Sequence, residues 1–104
     1  MNRTQVISSQ PRHVKILENG VDVSAKFGID QVQYNADGSA WRTFTNGRRE
    51  TGTWRFLNPE QSQMEVVIPP RPATRWLILE LHGDVFRKAN LANGMEFIYL
   101  PVNK

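Results

Sequence analysis

The sequence predicts an all-β domain, an antiparallel meander of about eight short strands that closes into a small barrel. Three observations carry this. Turn signals recur at Asn19-Gly20, Asp37-Gly38, Asn46-Gly47, Asn58-Pro59, the PPRP of 69–72, His82-Gly83-Asp84 and Asn93-Gly94. Between them lie short segments rich in Val, Ile, Phe, Tyr, Trp and Thr, the residue types that suit a pleated surface. No window sustains an apolar stripe of helical period.

A chain of 104 residues has room for one core and not for two. With 39% hydrophobic and 22% charged residues it falls among globular rather than disordered sequences. The net charge of +3 is too small to argue for a polyanionic partner. Without cysteine, the chain has no disulfide, thiolate nucleophile or sulfur metal ligand. No segment approaches a membrane span, and MNRTQVISSQPRH lacks the apolar run of a signal peptide, so no membrane partner is expected. The compartment stays open: cytoplasmic for a complete chain, exported for one whose leader has been removed.

Residues 1–12 are polar and non-periodic, which predicts a flexible N-terminal arm ahead of a β domain over 13–104. The first strands fall at 13–18 and 29–35, with 21–28 (VDVSAKFG) between them as the best helical candidate. Further strands fall at 39–45, 51–57, 63–69, 75–82, 84–90 and 95–101. Alternation orients several of them. Met64, Val66 and Ile68 share a face opposite Glu65; Met95, Phe97 and Tyr99 share one opposite Glu96. Leu77, Leu79 and Leu81 lie opposite Glu80 and are expected to point inward. That places Trp76 and Ile78 on the outer face as an apolar patch, which needs a cover. The polar arm offers only Val6 and Ile7, so a weak twofold homodimer through 75–82 is the favoured cover.

Residues 37–56, DGSAWRTFTNGRRETGTWRF, combine ordinary hairpin chemistry with a concentration of aromatics and arginines. Asn-Gly between strand-like runs signals a hairpin, because both residues tolerate positive φ. Gly52, Trp54 and Phe56 share one face. Trp41 joins that face if the loop has two or four residues and the opposite face if it has three. Basic side chains among aromatics also suit a sheet that stacks single-stranded nucleic acid. Alternation weakens that reading: Arg55 faces away from Trp54 and Phe56, Arg42 faces away from Trp41, and Arg48 and Arg49 stand at the hairpin tip. The aromatics are expected mainly in the core, the arginines in solvent, and nucleic acid ranks last among partners.

No catalytic constellation emerges. His13 and His82 are far apart and show no metal-binding spacing, so no metal site is expected. Glu50, Glu65, Glu80 and Glu96 could meet across strands, but they mostly alternate with apolar residues and are expected to point to solvent, away from the barrel interior. No serine stands in a nucleophile elbow, and the glycines are spread over turns rather than gathered in a phosphate loop. His82 and Asp84 read as turn residues. The sequence predicts neither an enzyme nor a cofactor.

DGSAWRTF and GRRETGTWRFL resemble the Asp-Gly to Gly-x-Trp hairpin of the small bacterial lipocalin-like (calycin-type) domains, and ILENGVDVSAKFGIDQVQYNADG resembles the run into it. MEVVI, WLILEL and MEFIYLP match the remaining strands only in spacing, so the resemblance spans 13–101. It departs from full-size lipocalins, which carry Gly-x-Trp on the first barrel strand; here Gly52-Thr53-Trp54 lies mid-chain. The resemblance implies a lipocalin-like barrel that binds an apolar small molecule or serves as an accessory domain, and it supplies no catalytic residues. Ligand contacts would fall on Gly52 and Trp54, then on Phe56, Phe97 and Tyr99. A barrel of about eight strands can be filled by its side chains or hold one small ligand. A structural, self-associating domain with a filled core is therefore the alternative, and single-stranded nucleic-acid binding comes third.

Overall fold

A computed structural model describes residues 2–102; the last two positions of the domain expected over 13–104 lie outside the described residues. Nine strands are present among them: β1 (Arg12–Glu18), β2 (Val21–Asp22), β3 (Ile29–Tyr34), β4 (Ser39–Phe44), β5 (Arg49–Phe56), β6 (Gln63–Val67), β7 (Thr74–His82), β8 (Val85–Asn90) and β9 (Glu96–Pro101). Two short helices, α1 (Arg3–Ser8) and α2 (Ser24–Phe27), accompany them. Strands β3 to β9 pair antiparallel in chain order, and β1 closes the ring by pairing with both β9 and β3. The result is a closed eight-stranded barrel with β2 as an extra strand, the predicted architecture.

The turn chemistry sets the register. Between β4 and β5 the Asn46 side chain accepts the Arg48 N–H at 2.9 Å, and Gly47 takes φ 88°, where a side chain would be strained. The Phe44 N–H donates to the Arg48 carbonyl at 2.8 Å, which leaves a loop of three residues, so Trp41 pairs with Thr51 on the outer face while Ala40 and Gly52 face inward as a pair. Gly52 is required for a different reason. A Cβ there would collide with the Val67 carbonyl of the neighbouring strand β6.

The ring is uneven. The β1–β9 seam runs from Arg12↔Pro101 to Leu17↔Glu96, whereas β1 and β3 share only Arg12↔Val32. That seam gapes toward one end, where β2 and α2 fill it. The Ser24 hydroxyl accepts the Ile16 N–H, and the Val23 N–H donates to the Ile16 carbonyl, each at 2.8 Å.

The opposite end is closed by α1, in place of the expected flexible arm. Asn2 and Gln5 form a reciprocal capping box, with both hydrogen bonds at 2.8 Å. Val6 and Ile7 sink into the core, Ile7 with no exposed surface. The buried Arg12 donates to the Val6 and Ile7 carbonyls at 2.7 Å each, satisfying acceptors that a helix end leaves open. Six residues are too few to show helical periodicity, so composition alone had marked this segment as loose. No helix among the described residues is long and apolar enough to cross a membrane.

Strand β7 reverses the expected orientation. Trp76 and Ile78 point inward, 5% and 7% exposed, and Leu77 and Leu79 point outward, each a little over one-third exposed. Pairing fixes the phase: the fully buried Met64 stands opposite Trp76. A bulge between Ile78 and Glu80 absorbs one residue and brings Leu81 back inside, opposite Phe86. The dimer surface expected on Trp76 and Ile78 is thus part of the core. The WLIL run is apolar in both phases, and only cross-strand packing chose between them.

Candidate functional site

The closed half of the barrel is filled by Trp54, Met64, Leu81 and Phe86 over α1. The other half is not filled. A cavity of about 420 Å³ opens there. Its origin is local: Ala40 and Gly52 face each other across β4 and β5, so two neighbouring strands bring almost no bulk inward. Val66, Ile68, Trp76 and Phe97 form apolar walls, and Phe27 of α2 packs edge-on to Phe97 at the mouth, with ring centroids 6.2 Å apart.

Charge gathers at this mouth. Lys26, Arg42, Arg48 and Arg71 line it against a single carboxylate, Glu50. Arg42 Nε and Nη2 each lie 2.8 Å from Glu50 Oε1, Arg48 Nη1 3.0 Å from Oε2, and Arg71 Nη1 2.7 Å from Oε1. Burial opposes the Glu50 charge, but hydrogen bonds from Arg71 and Arg42 outweigh it and hold the carboxyl below its ordinary range. The Arg48 guanidinium also stacks 4.2 Å above the Phe44 ring. One carboxylate cannot neutralise four cations, so the mouth is electropositive.

At the cavity floor stands Lys88, 1% exposed. Its Nζ lies 2.9 Å from the Tyr34 hydroxyl, which lies 2.8 Å from the Tyr99 hydroxyl. The Trp76 ring is 3.8 Å from Nζ, with Tyr34, Tyr99 and Phe97 at 5.1, 5.4 and 5.7 Å. No carboxylate pairs with it among the described residues. Burial pushes its pKa well below the ordinary lysine value, and the positive Arg42 pushes the same way. A cation over an aromatic face gains about 0.5–2 kcal/mol, whereas removing an ion from water costs several kcal/mol. The rings soften the penalty without cancelling it. Burial also raises both phenols, Tyr34 up to about 12 and Tyr99 well above its ordinary value, so both stay protonated.

Of the residues expected to meet a ligand, Gly52, Phe97 and Tyr99 line the cavity. Trp54 and Phe56 do not: they pack edge-on, 5.2 Å apart, in the filled half, where Trp54 Nε1 donates to the Asn35 carbonyl at 2.8 Å. Glu50 was expected in solvent and instead lies inside the mouth; Glu65 keeps to the outer face, paired with Arg55 and Arg75. Arg42 was expected in solvent too, and it turns inward with Ala40 and Phe44. Trp41 lies outside, under the Arg49 guanidinium at 4.2 Å.

Lys88, Tyr34 and the Arg42–Glu50 pair were missed by sequence reasoning. The signal for Lys88 was its parity with Phe86 on one strand, which places both on the same face. His13 contacts the Asp30 carbonyl at 2.8 Å and His82 lies 3.6 Å from Glu80; neither lines the cavity. Among the described residues no group of three or more His, Cys, Asp or Glu is placed to hold a metal ion. Comparison of the chain with protein-family models, with curated proteins and with solved structures found no match in any of the three.

Proposed function

We propose that the barrel binds one small molecule with an aromatic or apolar body and an anionic group, and that it acts as a non-catalytic binding domain of lipocalin-like type. The cavity carries this reading. Its volume of about 420 Å³ lies within the range of small-molecule sites, and its apolar walls end in a few convergent polar groups. The electropositive mouth favours an acid over a neutral or cationic ligand. The resemblance of 37–57 to the lipocalin-like hairpin points the same way. The alternative, a structural domain, draws support from the fully packed half around Met64 and Phe86.

Titration with anilinonaphthalene sulfonate, an aromatic body with one anionic group, separates the two. Saturable one-to-one fluorescence enhancement is expected. It should be lost in Ile68→Trp, which fills the cavity from its wall. Absence of saturable binding by the wild type, with its fold intact by circular dichroism, would favour the structural domain.

A further inference from the structure

We propose that Lys88 is a reactive amine at the cavity floor that captures a small aromatic aldehyde as an imine. The proposal rests on the cavity being a binding site and names a chemistry for it. Lys88 lines the cavity yet is 1% exposed, so a reagent reaches it by way of the cavity. The titratable and charged groups facing it are Tyr34 from β3, Arg42 from β4 and Tyr99 from β9, while β7 offers Trp76 and Ile78. Glu50 of β5 is taken up by three guanidiniums at the mouth. Nothing in this set supplies the negative charge that holds an ammonium.

The hydroxyl chain gives an independent reason. With a neutral amine as acceptor, Tyr34 donates to Nζ and Tyr99 donates to Tyr34, so both hydroxyl protons are placed. An ammonium must donate to the Tyr34 oxygen, and whichever way the two hydroxyls then point, one of their protons has no acceptor among the described residues.

The step balances without oxidant or reductant. The amine nitrogen attacks the carbonyl carbon, a C–N bond forms, and the carbonyl π pair moves to oxygen. A proton passes from nitrogen to that oxygen by way of the Tyr34 hydroxyl. The second N–H proton and the hydroxyl then leave as water, the C–O bond breaks, and C=N remains. Apolar walls keep bulk water from reversing the reaction.

The test incubates the protein with para-formylbenzoate and cyanoborohydride near neutral pH, followed by intact mass and peptide mapping. The unreactive para-hydroxymethylbenzoate is titrated in parallel by tryptophan fluorescence. The expected result is a reduced adduct on Lys88, formed at least about tenfold faster than on Lys15, Lys26 or Lys104, the factor that one unit of pKa depression gives, with the α-amino group mapped separately. Lys88→Met should lose this adduct and still bind the alcohol. If that variant does not fold, the mapping on wild type decides alone. Binding of the alcohol with labelling confined to amines other than Lys88 overturns the imine and leaves the cavity reading standing. Failure of the alcohol to bind, with Lys88 unlabelled, overturns both.

Discussion

Trp54 and Lys88 are two buried side chains with opposite demands. Trp54 is 6% exposed, packs edge-on against Tyr34 and Phe56, and has its Nε1 satisfied by the Asn35 carbonyl. Trp54→Ala should therefore cost about 3–5 kcal/mol, the range for truncating a large buried aromatic. Urea unfolding checks it; a loss below about 1 kcal/mol would contradict the packing. Lys88 works the other way. In the unfolded chain it titrates near 10.5, and in the folded chain well below. Between those values the unfolded chain holds the extra proton, so stability rises with pH across the window. Below the folded value the penalty is constant, and above 10.5 it is gone. Lys88→Met should thus be more stable than wild type near neutral pH. The gap should close as pH rises toward 10.5, by at most about 1.4 kcal/mol per pH unit. Unfolding curves over a pH series read this, kept below the range where tyrosines of the unfolded chain ionise. A gap independent of pH would mean that Lys88 carries its charge in both states.

Among the elements, α1 shows most clearly how a short segment gains structure from its neighbours. Isolated helices of this length are marginal in water. Here the capping box holds the first turn, Arg12 holds the last carbonyls, and Ile7 anchors the underside. Ile7→Ala should lower stability by about 2–5 kcal/mol, as for other large apolar truncations in a core. A mobile arm would show no change in the urea midpoint. Strand β7 makes the complementary point. Its bulge lets one strand present Trp76 to the cavity and both Ile78 and Leu81 to the core. Helix α2 meanwhile sets Phe27 against Phe97, so one rim of the cavity depends on the gap in the β1–β3 seam.

At the scale of the whole molecule, the barrel is divided into a packed half and an open half, and its charge is local rather than global. The net charge is only +3, yet four cations meet one carboxylate at the mouth. Such a focus suits a small anion more than an extended polyanion. Arg42, Arg48 and Arg71 are tied to Glu50, and Arg49 lies over Trp41 on the other side of the sheet. Single-stranded oligonucleotides should therefore bind weakly and be released near physiological salt, since few phosphates can be neutralised at once. Fluorescence anisotropy over a salt series measures this. Submicromolar binding that survives 0.2 M salt, on the order of physiological ionic strength, and falls in Arg48→Ala with Arg49→Ala would favour nucleic acid.

Turn residues and strand composition determined the barrel, because Asn-Gly and Asp-Gly act locally and need no knowledge of the rest of the chain. That is why the hairpin around Gly47, and the shared face of Met64 and Val66, were legible in advance. Side-chain direction on β7 was not: WLIL is apolar in both phases, and the choice came from Met64 across the strand pair. Nor was the site legible. Lys88, Arg42 and Glu50 are charged residues at inward positions, and alternation read by polarity alone sends such residues to solvent. Only ring closure shows that an inward position near an open end can keep a charge, where partners from distant strands converge on it. Lys88, Tyr34, Tyr99 and Arg42 come from four different strands and Arg71 from the loop between β6 and β7, and nothing short of the closed barrel brings them to one cavity.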